Sequence, residues 1–466
     1  MSTATIDTTT VRRWKRYPEY RRANLDWQHD VPKHWDVKQL KWTVTACQNG
    51  VWGDEPTGGS DDIACIRVAD FDRTRFLVDA SRELTVRSVA ESQRRGKVLR
   101  PGDLLIEKSG GGELQPVGAV VLYSLDRPAV SSNFVARMPV AEGYSPEFLR
   151  YLHAAMYTAR VNTRSIKQSI GIQNLDSGAY LDEPAGLPPL AEQQAIAAFL
   201  DRETARIDAL IGHKERLIAL LEEKRQAVIS HAVTRGLDPN AKLKDSGIPW
   251  LGLVPERWRM TRLKFVAEVQ SGITLGKKYD DRELVERPYL RVANVQDGYL
   301  DLSEITTIQV PASDVSRHEL RPGDVLMTEG GDFDKLGRGY VWEEQIPGCL
   351  HQNHVFAVRP NLNRLQPHFL SAMMTSAHGR TYFTFTSQQS TNLASTNATK
   401  LGNFPIPLPN LHEQNSILAE IQQQSRAFAH TLDRIRDGIA RLQEYRTALI
   451  SAAVTGQIDV RGEVTS

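Results

Sequence analysis

The sequence is poor in cysteine and contains no long apolar run. Its three cysteines, Cys47, Cys65 and Cys349, are widely spaced and form no CxxC pair. This pattern provides no disulfide framework and suits a reducing compartment. No apolar run approaches the roughly 18 residues of a membrane-spanning helix, and the N-terminal segment MSTATIDTTTVRRWKRYPEYRR lacks the apolar core of a signal peptide. We therefore expect a cytoplasmic protein that has no membrane partner.

The chain also has almost no net charge. Its 57 Lys and Arg residues and 56 Asp and Glu residues leave a charge of +1. A strongly basic nucleic-acid-binding protein would have a larger positive net charge, yet acidic surfaces elsewhere in a chain can offset the charge of a basic groove. The contents of 41% hydrophobic and 24% charged residues are ordinary for a globular protein. A length of 466 residues suffices for about three domains.

Catalytic motifs are missing as well. Three residues separate Gly272 from Gly276, whereas the phosphate-binding loop GxxxxGK[ST] requires four. The glycine-rich stretch Ser109–Gly112 follows no nucleotide-fold pattern, and neither GxSxG nor HExxH occurs.

Two sets of side chains faintly suggest metal sites. Asp103, Glu107 and Lys108 have the composition of a metal-dependent nuclease site, but the repeated segment described next lacks the lysine. His351 and His354 have a spacing that zinc tolerates, but the sequence offers no third ligand. We predict no catalytic residue and no metal site in this chain.

The strongest feature that is present is a duplication. Leu187–Gly236 recurs as Leu408–Gly456, with a constant offset of 221 residues from Glu192 to Ile229. Segments upstream of each copy recur in the same order: VPKHW with VPERW, IRVADF with LRVANV, LRPGD with LRPGD, and PEFLRYL with PHFLSAM. The chain is therefore a tandem duplication of a globular domain followed by a long segment.

Each repeated long segment is predicted to be one helix. Its apolar residues follow the alternating three- and four-residue spacing of a heptad seam. The seam residues are Leu200, Ile207, Ile211, Ile218, Leu221, Val228, Leu418, Ile421, Phe428, Leu432, Ile435, Ile439, Leu442 and Leu449. Asn410 and Glu413 have the spacing of a capping box, and Gly236 and Gly456 stand where a helix terminator is expected. So narrow an apolar stripe requires a partner, which we predict to be the other copy.

The globular domains mix strands and helices. Leu104–Glu107 follows a Pro-Gly-Asp turn and is predicted to be a strand, as are Ala119–Leu125 and His354–Pro360. Pro146–Arg160 and Pro367–Arg380 are predicted helices with proline in the first turn. Strands followed by helices, without regular alternation, favour an α+β fold over a doubly wound sheet.

This organisation divides the chain into five segments. They are a flexible basic tail (residues 1–19), a first globular domain (20–187), a central long helix (188–236), a second globular domain (237–408), and a C-terminal long helix with its tail (409–466).

The two domains differ mainly in polar loops, and loops on a rigid frame commonly carry recognition. Amide side chains can form paired contacts with adenine, and Lys or Arg can contact guanine or phosphate. The candidate nucleic-acid-binding residues are Lys97, Lys108, Ser109, Gln168, Ser169, Gln173, Asn174, Lys277, Lys278, Lys335, Arg338, Gln389, Ser390 and Asn392.

These features together resemble the specificity subunit of type I restriction–modification systems. The resemblance is carried by VPKHW and VPERW at the domain starts, LRPGD before a glycine-rich stretch, QxS before each long helix, and PLPxLxEQ at residues 407–414. It extends from about residue 20 to about residue 460. It implies an α+β protein in which two target recognition domains each read half of a split DNA sequence. Two long helices packed as an antiparallel coiled coil would separate those domains.

The resemblance further implies that partner subunits carry the chemistry. Two modification subunits would clasp the coiled coil and bind S-adenosylmethionine as methyltransferases. Restriction subunits would supply the motor and the nuclease and would use ATP and Mg²⁺. This chain would bind double-stranded DNA, would hold no cofactor and would not be an enzyme itself.

Other assignments stay open on the sequence alone. A recognition subunit of a complex that only methylates DNA has the same features, and gene neighbourhood discriminates the two. The missing motifs argue against a chain that is itself a fused nuclease or methyltransferase. Divergent loops on a duplicated frame argue against a purely structural coiled-coil scaffold.

Overall fold

A computed structural model describes residues 14–169, 171–274, 276, 283–331, 336–390 and 393–463. The chain divides into two compact units. The first unit consists of Met1–His213 together with Asp437–Ser466, and the second of Lys214–Arg436. Each unit thus takes part of both long helices, and the first unit joins the start of the chain to its end.

The first globular domain is rich in short strands. Its strands are β1 Tyr20–Leu25, β2 Gln28–Pro32, β3 Asp36–Gln39, β4 Gln48–Asn49, β5 Asp62–Ile66, β6 Phe71–Asp72, β7 Leu77–Val78, β8 Thr85–Ser88, β9 Leu104–Glu107, β10 Ser109–Gly110, β11 Val120–Leu122, β12 Ala129–Ser131, β13 Val135–Met138, β14 Ile166–Ser169, β15 Ile172–Leu175 and β16 Pro184–Leu187. Its helices are α1 Glu91–Arg94, α2 Pro146–Thr158 and α3 Ser177–Leu181, and the long helix α4 Leu190–Arg235 follows.

A six-stranded sheet in the order β4-β13-β9-β11-β7-β6 forms the centre of this domain. The strand β9 pairs antiparallel with β13 and β11. Leu104 and Ile106 of β9 belong to the core that contains Phe148 of α2, whereas Leu105 belongs to a second core with Tyr123. Successive side chains of a strand point to opposite faces. Burial of both faces therefore explains the unbroken apolar run in this strand.

The second globular domain has strands β17 Leu243–Asp245, β18 Leu253–Pro255, β19 Arg259–Arg262, β20 Ala267–Ser271, β21 Leu284–Leu290, β22 Thr306–Pro311, β23 Val325–Thr328, β24 Gly330–Gly331, β25 Gly339–Val341, β26 Leu350–His351, β27 Val355–Pro360, β28 Gln388–Ser390, β29 Leu393–Ser395 and β30 Pro405–Leu408. Its helices are α5 Ala312–His318, α6 Pro367–Thr375, α7 Ala377–Thr386 and α8 Ala398–Gly402, and the long helix α9 Leu411–Val454 follows.

The centre of the second domain is a four-stranded sheet in the order β20-β27-β23-β25. It repeats the two-sided burial of the first domain. Val325 and Met327 of β23 belong to the core with Phe369 of α6, and Leu326 belongs to a core with Trp342. The two domains are thus built on one plan, as the duplication predicts.

The long helices α4 and α9 contain 46 and 44 residues. Each is followed by a glycine in the left-handed region, Gly236 at φ 77° directly after α4 and Gly456 at φ 74° just beyond the end of α9, as predicted for helix terminators. At the start of α9, Asn410 Oδ1 accepts a hydrogen bond from the Glu413 backbone N–H at 2.9 Å. The Glu413 carboxylate, predicted to close the capping box, instead accepts from the Arg257 guanidinium at 2.7 Å.

Within each unit, part of α4 packs against part of α9. In the first unit Ile207 of α4 shares a core with Leu449 of α9, and Arg446 Nε donates to Asp208 Oδ1 at 2.9 Å. In the second unit Val233, near the end of α4, shares a core with Ile417, near the start of α9. The packing is therefore antiparallel, and the predicted α+β class with paired long helices is confirmed.

The predicted seam residues differ in exposure. Leu200, Ile207, Leu432, Ile435 and Leu449 are buried, and Ile211, Ile218, Leu221, Val228, Leu418, Ile421, Phe428, Ile439 and Leu442 are half-buried.

A repeated glutamine ties each domain to the start of its long helix. Gln193 Oε1 accepts from the Ser145 backbone N–H at 2.9 Å, and its Nε2 donates to the Pro188 carbonyl at 2.8 Å. Gln414 Oε1 accepts from the Gln366 N–H at 2.8 Å, and its Nε2 donates to a proline carbonyl at 3.0 Å. One physical role thus accounts for the repeated glutamine.

Two expectations from the sequence need correction. The single helix predicted over residues 367–380 is two helices, α6 and α7, because Ser376 is extended (ψ 165°) and acts as the N-cap of α7. Residues 14–19 do not form a flexible tail: Tyr17 is 3% exposed and donates to the Glu192 carboxylate at 2.6 Å. The Trp14 ring meets Phe199 edge-on at 4.8 Å. Residues 1–13 of the predicted tail lie outside the described part.

Candidate nucleic-acid interface

Each unit carries a three-stranded antiparallel sheet, here called the small sheet, in which many candidate residues meet. In the first unit its order is β10-β15-β14, with Ser109 opposite Asn174 and Gly110 opposite Gln173. In the second unit its order is β24-β29-β28, with Gly330 opposite Ser395. The sequence predicted loops here. Backbone pairing between distant segments makes them strands instead.

Side chains of the first small sheet hold one another. Ser109 Oγ donates to Asn174 Oδ1, and Gln173 Oε1 accepts from the Val117 backbone N–H at 3.1 Å. All three side chains are half-buried. The amide oxygens of Gln173 and Asn174 therefore each have an intramolecular partner.

One position precedes the small sheet in both units and has the same backbone bonds in each. The Lys108 N–H donates to the Phe134 carbonyl at 2.8 Å, and its carbonyl accepts from the Leu175 N–H at 2.9 Å. The Glu329 N–H donates to the His354 carbonyl at 2.9 Å, and its carbonyl accepts from the Thr396 N–H at 2.8 Å. Lys108 and Glu329 are thus structural equivalents of opposite charge.

The side chains at this position have polar partners. Lys108 Nζ donates to Asn49 Oδ1 at 3.0 Å, beside Phe134, which is 54% exposed. Glu329 Oε2 lies 2.6 Å from His354 Nδ1, and their side chains are 29% and 57% exposed. Sequence reasoning did not propose Asn49, Phe134, Glu329 or His354 as DNA-binding residues. The charge reversal between aligned repeats was the signal that could have revealed them.

The remaining candidates are distributed as follows. Arg338 lies beside this position, because its carbonyl accepts from the Thr328 N–H at 3.2 Å. Lys97 lies apart from the small sheet, in the turn after α1, where its N–H donates to the Arg94 carbonyl. For Gln168, Ser169, Gln389 and Ser390 the structure describes the backbone, which lies in β14 and β28. Lys277, Lys278, Lys335 and Asn392 lie outside the described residues.

An ion pair with a buried aspartate anchors the strand that leads to the small sheet in each unit. Asp103 Oδ2 accepts from Arg137 Nε at 2.7 Å and from the Arg100 N–H at 2.7 Å. Asp324 binds Arg359 Nε and Nη2 at 2.8 and 2.7 Å. These pairs fix the turn before β9 and β23, so both frameworks position their variable side chains in the same way.

The side chains that faintly suggested metal sites are occupied by structural contacts. Burial raises the pKa of Glu107, whose carboxylate accepts from Arg73 Nη2 at 2.8 Å. His351 is fully buried, its Nδ1 lies 2.7 Å from the Val355 carbonyl, and burial lowers its pKa to about 4. Among the described residues, no group of three or more His, Cys, Asp or Glu side chains is arranged to hold a metal ion. In that same part of the chain no helix is long and apolar enough to cross a membrane.

Comparisons with a family model and with known proteins indicate the same kind of protein. The family model of the type I restriction modification DNA specificity domain matches residues 255–437. The specificity subunit of the type I restriction enzyme EcoBI of Escherichia coli is 26% identical over 340 residues, which cover 71% of this chain and 70% of that protein. The EcoKI specificity subunit of Escherichia coli strain K12 is 23% identical over 442 residues, covering 92% and 90%.

A solved chain from a study of complex assembly and conformational transition of the type I restriction–modification system has the same fold. It aligns with a TM-score of 0.64 at 18% identity, over 91% of this chain and 98% of that chain. The family model covers the second domain, and the first domain repeats its framework through Gln193, the Asp103–Arg137 pair and the small sheet. Residues 255–437 thus match the type I restriction modification DNA specificity domain, and the chain is similar over most of its length to specificity subunits of type I restriction enzymes.

Proposed function

We propose that this chain reads a split, asymmetric site on double-stranded DNA, one half with the small sheet of each unit. The observation that carries the proposal is the pair of equivalent positions Lys108 and Glu329, which hold opposite charges on identical backbone bonds. A frame that is kept while its polar side chains change suits two readers of different sequences. Two different readers in one chain require an asymmetric target.

The long helices are proposed to set the distance between the half-sites and to bind partners. A helix of 46 residues is about 69 Å long, which exceeds the 34–36 Å of one DNA turn. On α4, Leu217 and Leu220 are 45% and 55% exposed, and residues three apart lie on one helix face. Exposed leucines of this kind suit a protein partner.

The chemistry is proposed to belong to partner subunits. Two modification subunits would bind the helices and carry S-adenosylmethionine, and restriction subunits would carry the motor and nuclease with ATP and Mg²⁺. Asp103 and Glu107 of this chain are engaged by Arg137 and Arg73, so these carboxylates serve the fold. The similar solved chain comes from a study of complex assembly of the type I restriction–modification system, which supports the binding of partner subunits.

The test is to co-express the full chain with its modification subunit and to map methyladenine by single-molecule sequencing. The expected result is a motif of two unlike half-sites around an unread gap. A continuous palindrome, or no motif in an assembled complex, would contradict the proposal. Adding the restriction subunit and ATP should then produce cleavage of unmethylated DNA; its absence would indicate a complex that only methylates.

A further inference from the structure

We propose that Lys108 and Glu329 each contact a G·C base pair, one pair in each half-site. Lys108 contacts the guanine of its pair, and Glu329 contacts the cytosine of its pair. This inference rests on the proposed function and deepens it, because it names a base contact in each half-site.

The first step concerns where these side chains lie. Lys108 and Glu329 immediately precede β10 and β24, the first strands of the small sheets, and their carbonyls accept from Leu175 and Thr396. On the other side, their N–H groups donate to Phe134 and His354, which directly precede β13 and β27 of the central sheets, so the backbone at this point is held between the central sheet and the small sheet. A difference between the two units here therefore changes the surface without changing the frame.

The second step concerns what a carboxylate can do at such a surface. DNA phosphates repel the Glu329 carboxylate, so Glu329 cannot make the phosphate contact that suits a lysine. An ionised carboxylate only accepts hydrogen bonds, and in the major groove it pairs with the cytosine N4 amino group. His354 Nδ1 contacts Oε2 of Glu329 at 2.6 Å, which holds the carboxylate, and in the proposed contact its other oxygen, Oε1, accepts from the base.

The third step concerns the lysine. Lys108 Nζ has three protons, and Asn49 Oδ1 takes one of them at 3.0 Å. The two others match the O6 and N7 acceptors of guanine, the commonest partners of a base-reading lysine. Asn49 therefore plays for Lys108 the positioning role that His354 plays for Glu329.

The test is the methylation map of the complex with Glu329→Lys or Lys108→Glu. Each substitution should exchange guanine and cytosine at one position of one half-site. The wild-type motif should then be methylated roughly 5- to 150-fold less efficiently. Glu329→Gln should admit adenine at that position, because a glutamine amide pairs with adenine. The matched controls are Glu268→Lys and Lys38→Glu, which change exposed charges in the same units and should leave the motif unchanged.

The outcomes separate this inference from the function beneath it. If the wild-type complex yields no split motif, the proposed function fails. If a split motif exists but one half-site contains no G·C pair, or the variants keep the wild-type motif, the base assignment is refuted while the function stands. Uniformly weaker methylation of all sites by the Lys108→Glu complex would make Lys108 a phosphate contact and also overturn the assignment. Co-purification of each variant with the modification subunit verifies folding.

Discussion

Two substitutions in the same long helix are expected to destabilise different units. Leu449 of α9 is 0% exposed in the core of the first unit. Ile417 of the same helix is 0% exposed in the core of the second. Truncating either to alanine removes buried methyl groups and leaves a cavity, at a cost of about 2–5 kcal/mol. That loss is a large part of the roughly 5–15 kcal/mol that stabilises a domain.

Hydrogen exchange resolved by peptide is the assay. Leu449→Ala should raise exchange in β9 and β13, which belong to the first unit, by roughly 30- to 4,000-fold. It should leave β23 and β27 of the second unit nearly unchanged. Ile417→Ala should give the reverse pattern.

The two variants control each other, because both shorten an apolar side chain of α9 at a fully buried site. If Leu449→Ala increased exchange in both units equally, the assignment of the C-terminal part of α9 to the first unit would be wrong. If neither variant had an effect, the burial of these side chains would be in error.

Three further predictions follow from the same structure. Burial lowers the pKa of His351 from 6.5 to about 4, so the folded second unit favours the neutral imidazole. Its contribution to the free energy of unfolding is present above pH 6.5 and is lost as the pH falls towards 4, with a loss of ~2 kcal/mol at pH 5. Urea unfolding should show a flatter pH dependence for His351→Gln, and an unchanged slope would contradict the burial. Seven residues inserted after His213 and seven after Arg436 lengthen each helix by about 10 Å, or about three base pairs; methylation mapping should find a longer gap, whereas altered half-sites would exclude a spacer role. Replacing residues 272–400 with those of another specificity subunit should change one half-site in the same assay, and a change in both would refute separate readers.

Much of the fold could be predicted because its signals are local and long. The heptad spacing, the prolines before each long helix and the glycines Gly236 and Gly456 lie within the segments that they define. The apolar run of β9 likewise predicted a strand, because burial on both faces removes the polar alternation. Duplication gave each of these signals twice.

The contacts that escaped prediction join distant parts of the chain. Tyr17 is buried because its hydroxyl reaches Glu192, 175 residues later, and composition alone made that segment a basic tail. The strands of the small sheets have two to four residues, too few for a period-2 pattern. Their order comes from pairing, which a single segment does not reveal.

The candidate binding residues were chosen by residue type alone, and only some of them lie at the small sheets. Lysines and amides were chosen because they bind DNA in general, which selected Lys97 although it lies apart from the small sheet. Glu329 was not among the candidates. The backbone bonds shared with Lys108 are the property that makes its charge informative.

The composition of the first unit has a consequence for biosynthesis. That unit needs residues 437–466, and its core includes Leu449, Val454 and Ile458. The second unit is contiguous, from Lys214 to Arg436, so on the ribosome it is complete while the first still lacks part of its core. Although domains made first usually fold first, here the N-terminal unit is the last to finish. The core of the first unit stays unfinished and exposed until residues 437–466 have been made, and any partner that met the chain earlier would encounter only the second unit complete.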